Sequence, residues 1–168
     1  MALKINSKAP DFRLQDSEDR EFHLKSELNK NGILLLFYPK AFSPGCTREV
    51  CGFSQDFQFF TNRGIRVVGI SHDMQETLHR FRERHSVPFL LLSDPRRMVC
   101  RMYDAVYPFG LLTKRISYFI DGEGIIRHIS DNLLNPDLHL REMRLFLNQF
   151  PARSQAVREN SGLQSEKV

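Results

Sequence analysis

The N-terminal part of the chain alternates apolar and polar residues. Residues 11–15 and 21–25 follow this pattern on either side of a polar segment, residues 16–20. Strict alternation is typical of strands that bury one face, and a short polar segment between two such strands is typical of a turn. The pattern therefore predicts an N-terminal β-hairpin.

Three largely apolar runs predict strands that are buried on both faces. They cover residues 33–38, 65–71 and 90–92, and runs of this kind are typical of the central strands of an α/β sheet. Further along, residues 115–120 and 125–129 flank a turn rich in Asp and Gly. That arrangement predicts a second hairpin.

Helical patterns separate these strands. One helix is expected to begin at Ser43 and Pro44 and to end before Gly64, because Pro favours the first helical position and Gly follows helix ends. Residues 73–76 have the form of a capping box, which predicts a helix from there to about residue 85. The other two predicted helices start at residues 93–95 and after Asn135.

This order of elements indicates an α/β fold, a three-layer sandwich with a mixed central sheet, because helices alternate with buried strands and a hairpin follows. Residues 1–150 are expected to form this one domain. Residues 151–168 are polar and aperiodic, and we expect them to form a flexible tail.

Composition narrows the classes of function. The 168 residues carry a formal net charge of +4, with Lys and Arg spread along the chain. A solvated helix face explains the densest basic stretch, residues 80–85, better than nucleic-acid binding does. The longest apolar run is far too short to span a bilayer, and the N-terminus lacks a secretory signal. We therefore expect a cytoplasmic protein that binds neither nucleic acid nor membranes.

Among the three cysteines, Cys46 carries the strongest chemical signal. With Ser43 as N-cap and Pro44 as the first helical residue, Cys46 falls in the first helical turn. Free backbone N–H groups and the helix dipole favour the thiolate there, and a thiolate is what a nucleophilic cysteine requires. The alternative is a small apolar filler of the core, but a Pro-Gly-Cys turn favours the reactive interpretation.

Cys51 follows five residues after Cys46. In an intact helix an axial rise of about 7.5 Å would separate their α-carbons, which already exceeds the roughly 7 Å Cα–Cα limit of a disulfide. The pair could be oxidised only if the helix start unwinds; alternatively, Cys51 is a core-facing helix residue. A zinc site would need further Cys or His ligands at matching spacing, and the histidines are scattered. We expect no metal and no cofactor.

The segment around Cys46 resembles the active site of a known family. Pro39, Ser43 and Cys46 match the peroxiredoxin pattern Pro-x-x-x-Thr/Ser-x-x-Cys, and residues 37–53 are similar to the peroxiredoxin Q branch, also called bacterioferritin comigratory protein, of the AhpC/TSA family. Further family-like blocks extend the resemblance over about residues 3–150. It implies a thioredoxin-like fold and a thiol peroxidase.

The resemblance also implies a role for each matched residue. Cys46 would be the peroxidatic nucleophile that becomes a sulfenic acid. Cys51 would resolve it as an intramolecular disulfide, which thioredoxin or a similar dithiol would reduce. Ser43 would hold the peroxide, although a role as helix N-cap competes for the same oxygen. Pro39 would shield the pocket from water, and Arg115 would stabilise the thiolate and the charge on the leaving oxygen.

Several alternatives stay open at this point. The peroxidase could use Cys46 alone with Cys51 structural, or the protein could be a redox sensor or holdase that uses the same oxidisable helix to expose a surface. Glu49 is interpreted as an orienting residue or a surface charge, and Cys100 as a buried filler. Hydrogen peroxide and organic hydroperoxides are the expected substrates, and the branch implies a monomer or weak homodimer.

Overall fold

A mixed β-sheet organises the chain. The computed structural model describes residues 3–110 and 112–150, and seven strands within them form one sheet. In chain order the strands are β1 (Arg13–Asp16), β2 (Glu21–His23), β3 (Ile33–Phe37), β4 (Arg66–Ser71), β5 (Leu90–Ser93), β6 (Ile116–Ile120) and β7 (Ile126–Asp131).

The spatial order of the strands is β2-β1-β5-β4-β3-β6-β7. The three central strands β3, β4 and β5 are parallel, whereas β6 and β7 run antiparallel to their neighbours. The β1–β2 hairpin adds to the sheet through an antiparallel pairing of β1 with β5. Both predicted hairpins and the predicted mixed sheet are therefore confirmed.

Helices cover both faces of the sheet and complete the three predicted layers. Within the described ranges, four helices pack on one face and two on the other, as the hydrophobic residues that they contribute to each core show. The first group comprises α2 (Pro44–Gln55), α3 (Phe57–Thr61), α4 (Gln75–His85) and α6 (Pro136–Gln149), and the second comprises α1 (Leu24–Glu27) and α5 (Met98–Met102).

Strand β3 lies between two hydrophobic cores. All five of its residues are fully buried. Leu34 and Leu36 face the core under α2 and α6, whereas Ile33, Leu35 and Phe37 face the core under α5. Side chains of a strand alternate between faces, so a strand covered on both sides must be apolar at every position. This explains the continuous apolar run.

The single helix predicted from Ser43 toward Gly64 is wrong, because the chain forms two helices. Asp56 leaves the helical conformation at φ −91°, ψ 11°, and thereby ends α2 and starts α3. Phe53 of α2 and Phe60 of α3 lie in the same core, with their ring centroids 5.7 Å apart.

Two predicted helix starts are also corrected. Helix α4 begins at Gln75 with Met74 as its N-cap, so residues 73–76 do not form a capping box. Helix α5 begins only at Met98, after Arg97 in the left-handed conformation. The carboxylate of Asp94 accepts hydrogen bonds from backbone N–H groups at the start of α5, including that of Met98 at 2.9 Å. The side chain therefore caps the helix from four residues upstream.

The described residues contain no helix long and apolar enough to cross a membrane. The predicted flexible tail, residues 151–168, lies outside the residues that the structure describes. The assignment of residues 1–150 to one domain stays a prediction.

Candidate active site

Cys46 lies in the first turn of α2, where the sequence places it. Ser43 is the N-cap with an extended backbone, and Pro44 is the first helical residue. The side chain of Cys46 is buried, with 1% of the residue exposed. Its sulfur therefore lies at the positive end of the helix dipole, in a region from which most water is excluded. The helix end stabilises negative charge at the sulfur, whereas burial opposes it.

Ser43 is the N-cap by position, but its side chain makes no capping hydrogen bond. Its hydroxyl instead donates to the carbonyl oxygen of Lys40 at 2.8 Å. The expected competition between capping and peroxide binding is therefore absent in this arrangement. A hydroxyl that donates once still has lone pairs with which to accept a hydrogen bond.

Arg115 lies directly before β6 and points at Cys46. Its Nη2 donates to the Sγ of Cys46 at 3.5 Å, and its Nη1 donates to the carbonyl oxygen of Gly45 at 3.3 Å. Its Nε donates to the carbonyl oxygen of Leu133 at 3.2 Å. Only 4% of the residue is exposed. These bonds fix the planar guanidinium in one orientation beside the sulfur.

Glu49 forms a buried ion pair with the same guanidinium, through Nη1 of Arg115 and Oε2 of Glu49. Because Glu49 is 2% exposed, the interpretation of this residue as a surface charge is wrong. Burial raises the pKa of Glu49 to about 7, although the positive charge of Arg115 opposes the shift. Cys46 and Glu49 therefore share one buried cation.

Asp73 anchors the loop that carries Pro39 and Ser43. Its Oδ2 accepts hydrogen bonds from the backbone N–H of Ala41 and from the hydroxyl of Ser71, each at 2.7 Å. Pro39 is half-buried at the start of this loop. The side chain of Asp73, which the sequence suggested as part of a helix cap, therefore ties the loop that carries Pro39 and Ser43 to the end of β4.

Cys51 lies on the same helix as Cys46, and both thiols are free. Helix α2 is continuous from Pro44 to Gln55, so the two α-carbons are separated by an axial rise of about 7.5 Å. Cys51 is half-buried, and burial raises the pKa of its thiol. In this arrangement a disulfide between them would not fit.

Cys100 lies on the opposite face of the sheet from Cys46. The two cysteines belong to different hydrophobic cores, and Cys100 is fully buried. Burial raises the pKa of the Cys100 thiol, and the nearby carboxylate of Asp94 raises it further. A thiol held in its neutral form within a core fits the interpretation of a buried filler.

Comparisons with known proteins identify the family. The family model described as "AhpC/TSA family" matches residues 5–129, most of the chain. The chain belongs to the AhpC/TSA family of peroxiredoxins. Peroxiredoxin Bcp of Escherichia coli strain K12 is 34% identical over 143 residues, which cover 82% of this chain and 91% of that protein.

Plant and mycobacterial relatives agree. Chloroplastic peroxiredoxin Q of Sedum lineare is 34% identical over 137 residues, which cover 81% of this chain and 73% of that protein. The crystal structure of peroxidoxin BcpB from Mycobacterium tuberculosis matches with a TM-score of 0.83 and 27% identity, over 89% of this chain and 99% of that one. This peroxiredoxin therefore has the thioredoxin-like fold and is a thiol-dependent peroxidase.

His139 of α6 is a further residue in the site of this peroxiredoxin, and sequence reasoning missed it. The residue is fully buried. Its Nδ1 lies 2.7 Å from the hydroxyl of Ser117 and 3.9 Å from Oε1 of Glu49, and its Nε2 lies 2.8 Å from the carbonyl oxygen of Asn132. On the sequence, His139 is one position of an amphipathic helix, and only the packing of α6 against α2 brings it to Glu49.

The cysteines, histidines and carboxylates of the described residues form no group of three that could hold a metal ion. The site therefore contains five groups that can take part in chemistry: the thiol of Cys46, the guanidinium of Arg115, the carboxyl group of Glu49, the imidazole of His139 and the hydroxyl of Ser43.

Proposed function

We propose that Cys46 is the peroxidatic nucleophile of this peroxidase. The observation that carries the proposal is the position of its Sγ, which lies in the first turn of α2 and 3.5 Å from Nη2 of the buried Arg115. The helix dipole and the guanidinium both stabilise negative charge on the sulfur. The match of Pro39, Ser43 and Cys46 to the family motif supports the same assignment.

The chemical step is a displacement at oxygen. The thiolate of Cys46 attacks the terminal peroxide oxygen, an S–O bond forms and the O–O bond breaks. The sulfur is oxidised to a sulfenic acid, and the peroxide is reduced to water or an alcohol after the leaving oxygen takes up a proton. Arg115 is placed to stabilise the charge that develops on that oxygen, because its guanidinium is already fixed before the reaction.

Ser43 and Pro39 form the entrance to this step. The hydroxyl of Ser43 donates to Lys40 and retains lone pairs that accept a hydrogen bond from the peroxide O–H. Pro39 presents no N–H group and, half-buried, limits access of water to the sulfur. Asp73 holds the loop in place from the side of β4.

Cys51 would complete the cycle by attacking the sulfenic acid of Cys46. This forms an intramolecular disulfide and releases water. Thioredoxin or a similar dithiol would then reduce the bond by exchange. Because the intact helix keeps the cysteines too far apart, the first part of α2 must unwind in each cycle. The half-buried position of Cys51 is compatible with such a local opening.

The remaining parts of the proposal follow from the sequence and from the family resemblance. Hydrogen peroxide and organic hydroperoxides are the proposed substrates, the cytoplasm the proposed location, and a monomer or weak homodimer the proposed state. The bacterioferritin comigratory protein of Xanthomonas campestris, a structural neighbour of this chain, has alkyl peroxide reduction activity. That activity is compatible with an organic substrate here.

A coupled assay tests the assignment of Cys46. The purified protein, with thioredoxin, thioredoxin reductase and NADPH, should consume hydrogen peroxide with loss of NADPH absorbance. Cys46→Ser should abolish turnover, because serine does not provide a thiolate. Cys100→Ala, which alters the cysteine in the opposite core, is the matched control and should retain turnover. Full activity in the Cys46→Ser variant would refute the assignment.

The same assay distinguishes the two-cysteine from the one-cysteine mechanism. Cys51→Ala should lose thioredoxin-dependent turnover but still react once with peroxide, because Cys46 remains. If Cys51→Ala turned over at the rate of the wild type, Cys51 would be structural and Cys46 would act alone.

A further inference from the structure

The hydrogen-bond partners of His139 accommodate both the neutral and the protonated imidazole ring. The carbonyl oxygen of Asn132 can only accept a hydrogen bond, so Nε2 of His139 must carry a hydrogen. The hydroxyl of Ser117 can donate or accept, so it serves Nδ1 of His139 whether or not that nitrogen is protonated. Neither hydrogen bond is lost when the ring gains a proton.

Glu49 has one oxygen that faces this ring without a hydrogen bond. Its Oε2 is bound by Arg115, whereas its buried Oε1 has no hydrogen-bond partner among the described residues. Oε1 lies 3.9 Å from Nδ1 of His139, which is longer than a hydrogen bond but close enough for a strong charge interaction. A buried polar atom without a partner costs free energy, so its presence beside the active site calls for an explanation.

The buried charges around Arg115 balance only if one group of the site holds a proton. Within residues 3–110 and 112–150, Arg115 is the cation that contacts both Cys46 and Glu49. If Cys46 and Glu49 were both ionised, two buried negative charges would share one positive charge, which burial disfavours. One proton on the Glu49–His139 pair restores the balance.

We propose that His139 is a positioning residue of the peroxidase reaction, which together with Glu49 holds the proton that allows Cys46 to ionise. The proton resides on Oε1 of Glu49 or on Nδ1 of His139. In either state the pair is neutral overall, and the charge of Arg115 is left to the thiolate.

The proton balance closes over the chemical step. The thiol of Cys46 gives its proton to the Glu49–His139 pair, and the pair changes from one negative charge to none. The thiolate attacks the peroxide, forming the S–O bond and breaking the O–O bond. The leaving alkoxide or hydroxide takes up the proton, and the pair returns to its charged form. The peroxide is thus reduced by two electrons from the sulfur.

Other charged groups also act on His139. Burial lowers the pKa of its imidazole, and Arg115 lowers it further, while Glu142 of the same helix and Asp131 of β7 raise it. Glu49 of α2 faces Nδ1 directly. The ring is therefore neutral at rest. Because carboxylates surround it, Nδ1 can take up a proton when Cys46 ionises.

The test uses variants that cannot hold a proton at this position. His139→Gln retains a donor for the Asn132 carbonyl, and His139→Asn retains a group near Ser117, so each keeps a different hydrogen bond. Met143→Ala is the matched control, because Met143 is a fully buried residue one turn further along α6. All are made with Cys51→Ala and Cys100→Ala, so that Cys46 is the only thiol.

The readout is the ultraviolet absorbance of the thiolate as a function of pH. Both His139 variants should shift the midpoint upward by about one pH unit, which is roughly a tenfold loss of thiolate below it, whereas Met143→Ala should leave the midpoint unchanged. An unchanged midpoint in folded His139→Gln and His139→Asn would overturn the proposal and leave His139 a packing residue. The same conclusion would follow if Met143→Ala shifted the midpoint equally.

This inference rests on the proposed role of Cys46, but the two can fail separately. Thiolate absorbance does not depend on peroxide turnover. Retained turnover in Cys46→Ser would refute the role of Cys46, whereas an unchanged midpoint in the His139 variants would refute only the role of His139. A second readout is kcat/KM for hydrogen peroxide in otherwise wild-type protein. For the His139 variants it should fall about tenfold at acidic pH and recover as the pH rises above the shifted midpoint.

Discussion

Arg115 and Cys46 meet through a hydrogen bond of 3.5 Å from the guanidinium Nη2 to the sulfur. The contact joins two distant parts of the chain, the start of α2 and the start of β6. The guanidinium is held on its other sides by Glu49 and by the carbonyl oxygens of Gly45 and Leu133. Its position relative to the sulfur is therefore set before any peroxide arrives.

Replacement of Arg115 by Lys should reduce the peroxidase rate strongly. The ammonium group of Lys carries the same charge, but it lacks the two planar NH₂ groups with which Arg115 contacts the sulfur and Glu49 at the same time. By analogy with the loss of one preorganised donor, kcat/KM should fall by about 10²- to 10³-fold. Stopped-flow measurement with hydrogen peroxide checks this. Arg127→Lys, which alters an arginine paired with Asp121, is the control, and an equal rate for both variants would contradict the assigned role.

Gly45 allows the guanidinium to approach the helix. A Cβ atom at this position would lie 2.9 Å from Nη2 of Arg115, and the hydrogen bonds of Arg115 prevent it from moving away freely. Gly45→Ala should therefore displace the guanidinium and lower kcat/KM about tenfold or more, with a smaller effect on stability.

Gly52→Ala provides the matched control on the same helix. A Cβ there would meet only Leu140, at an ordinary contact distance of 3.6 Å. Stability by urea unfolding and kcat/KM are measured for both variants. If Gly45→Ala retained the wild-type rate, the close approach of Arg115 would have no role in catalysis.

Glu49 should make stability depend on pH in a particular direction. Burial raises its pKa from 4.5 to about 7 in the folded protein, so the folded state binds more protons than the unfolded state between these values. The stabilisation is complete below pH 4.5 and is lost as the pH rises through 7. The free energy of unfolding of Glu49→Gln, minus that of the wild type, should therefore increase by up to about 3 kcal/mol over this range.

Urea unfolding at several pH values checks the prediction for Glu49. The exposed Glu76, replaced by Gln, is the control and should show no comparable trend. Taking the difference between variant and wild type removes the contributions of titrating groups that do not face Glu49, such as His128. A difference that stays constant with pH would show that folding leaves the pKa of Glu49 unchanged, which would contradict the prediction.

The sequence predicted the framework of the site more reliably than its contacts. The apolar run of β3 and the Pro44 helix start depend on neighbours in the chain, so local pattern was sufficient. Cys46 in the first helical turn followed from the same local signals. The assignment of Arg115 came only from family resemblance, because nothing local distinguishes it from the other arginines.

Other features depended on tertiary contacts and could not be read from local pattern. The sequence predicts Asp73 as part of a helix cap. In the structure its carboxylate instead accepts a hydrogen bond from the backbone N–H of Ala41, in the loop that precedes Cys46. His139 reaches Glu49 only because α6 packs against α2. The break at Asp56 has no Gly or Pro beside it that could have indicated it.

Oxidation should unwind the start of α2 if Cys51 resolves Cys46. Hydrogen exchange after one equivalent of peroxide should increase in residues 44–51 and stay unchanged in α6, because only α2 must open to close the disulfide. Cys51→Ala treated in the same way should keep the protection of the reduced protein. Equal protection in oxidised and reduced wild type would mean that the disulfide forms without unwinding, or does not form.

The most direct test of the central claim is to trap the sulfenic acid. Cys51→Ala is treated with one equivalent of hydrogen peroxide in the presence of dimedone, and the modified peptide is located by mass spectrometry. The account predicts a dimedone adduct on Cys46 and none on Cys100. An adduct on Cys100, with Cys46 unmodified, would contradict the account.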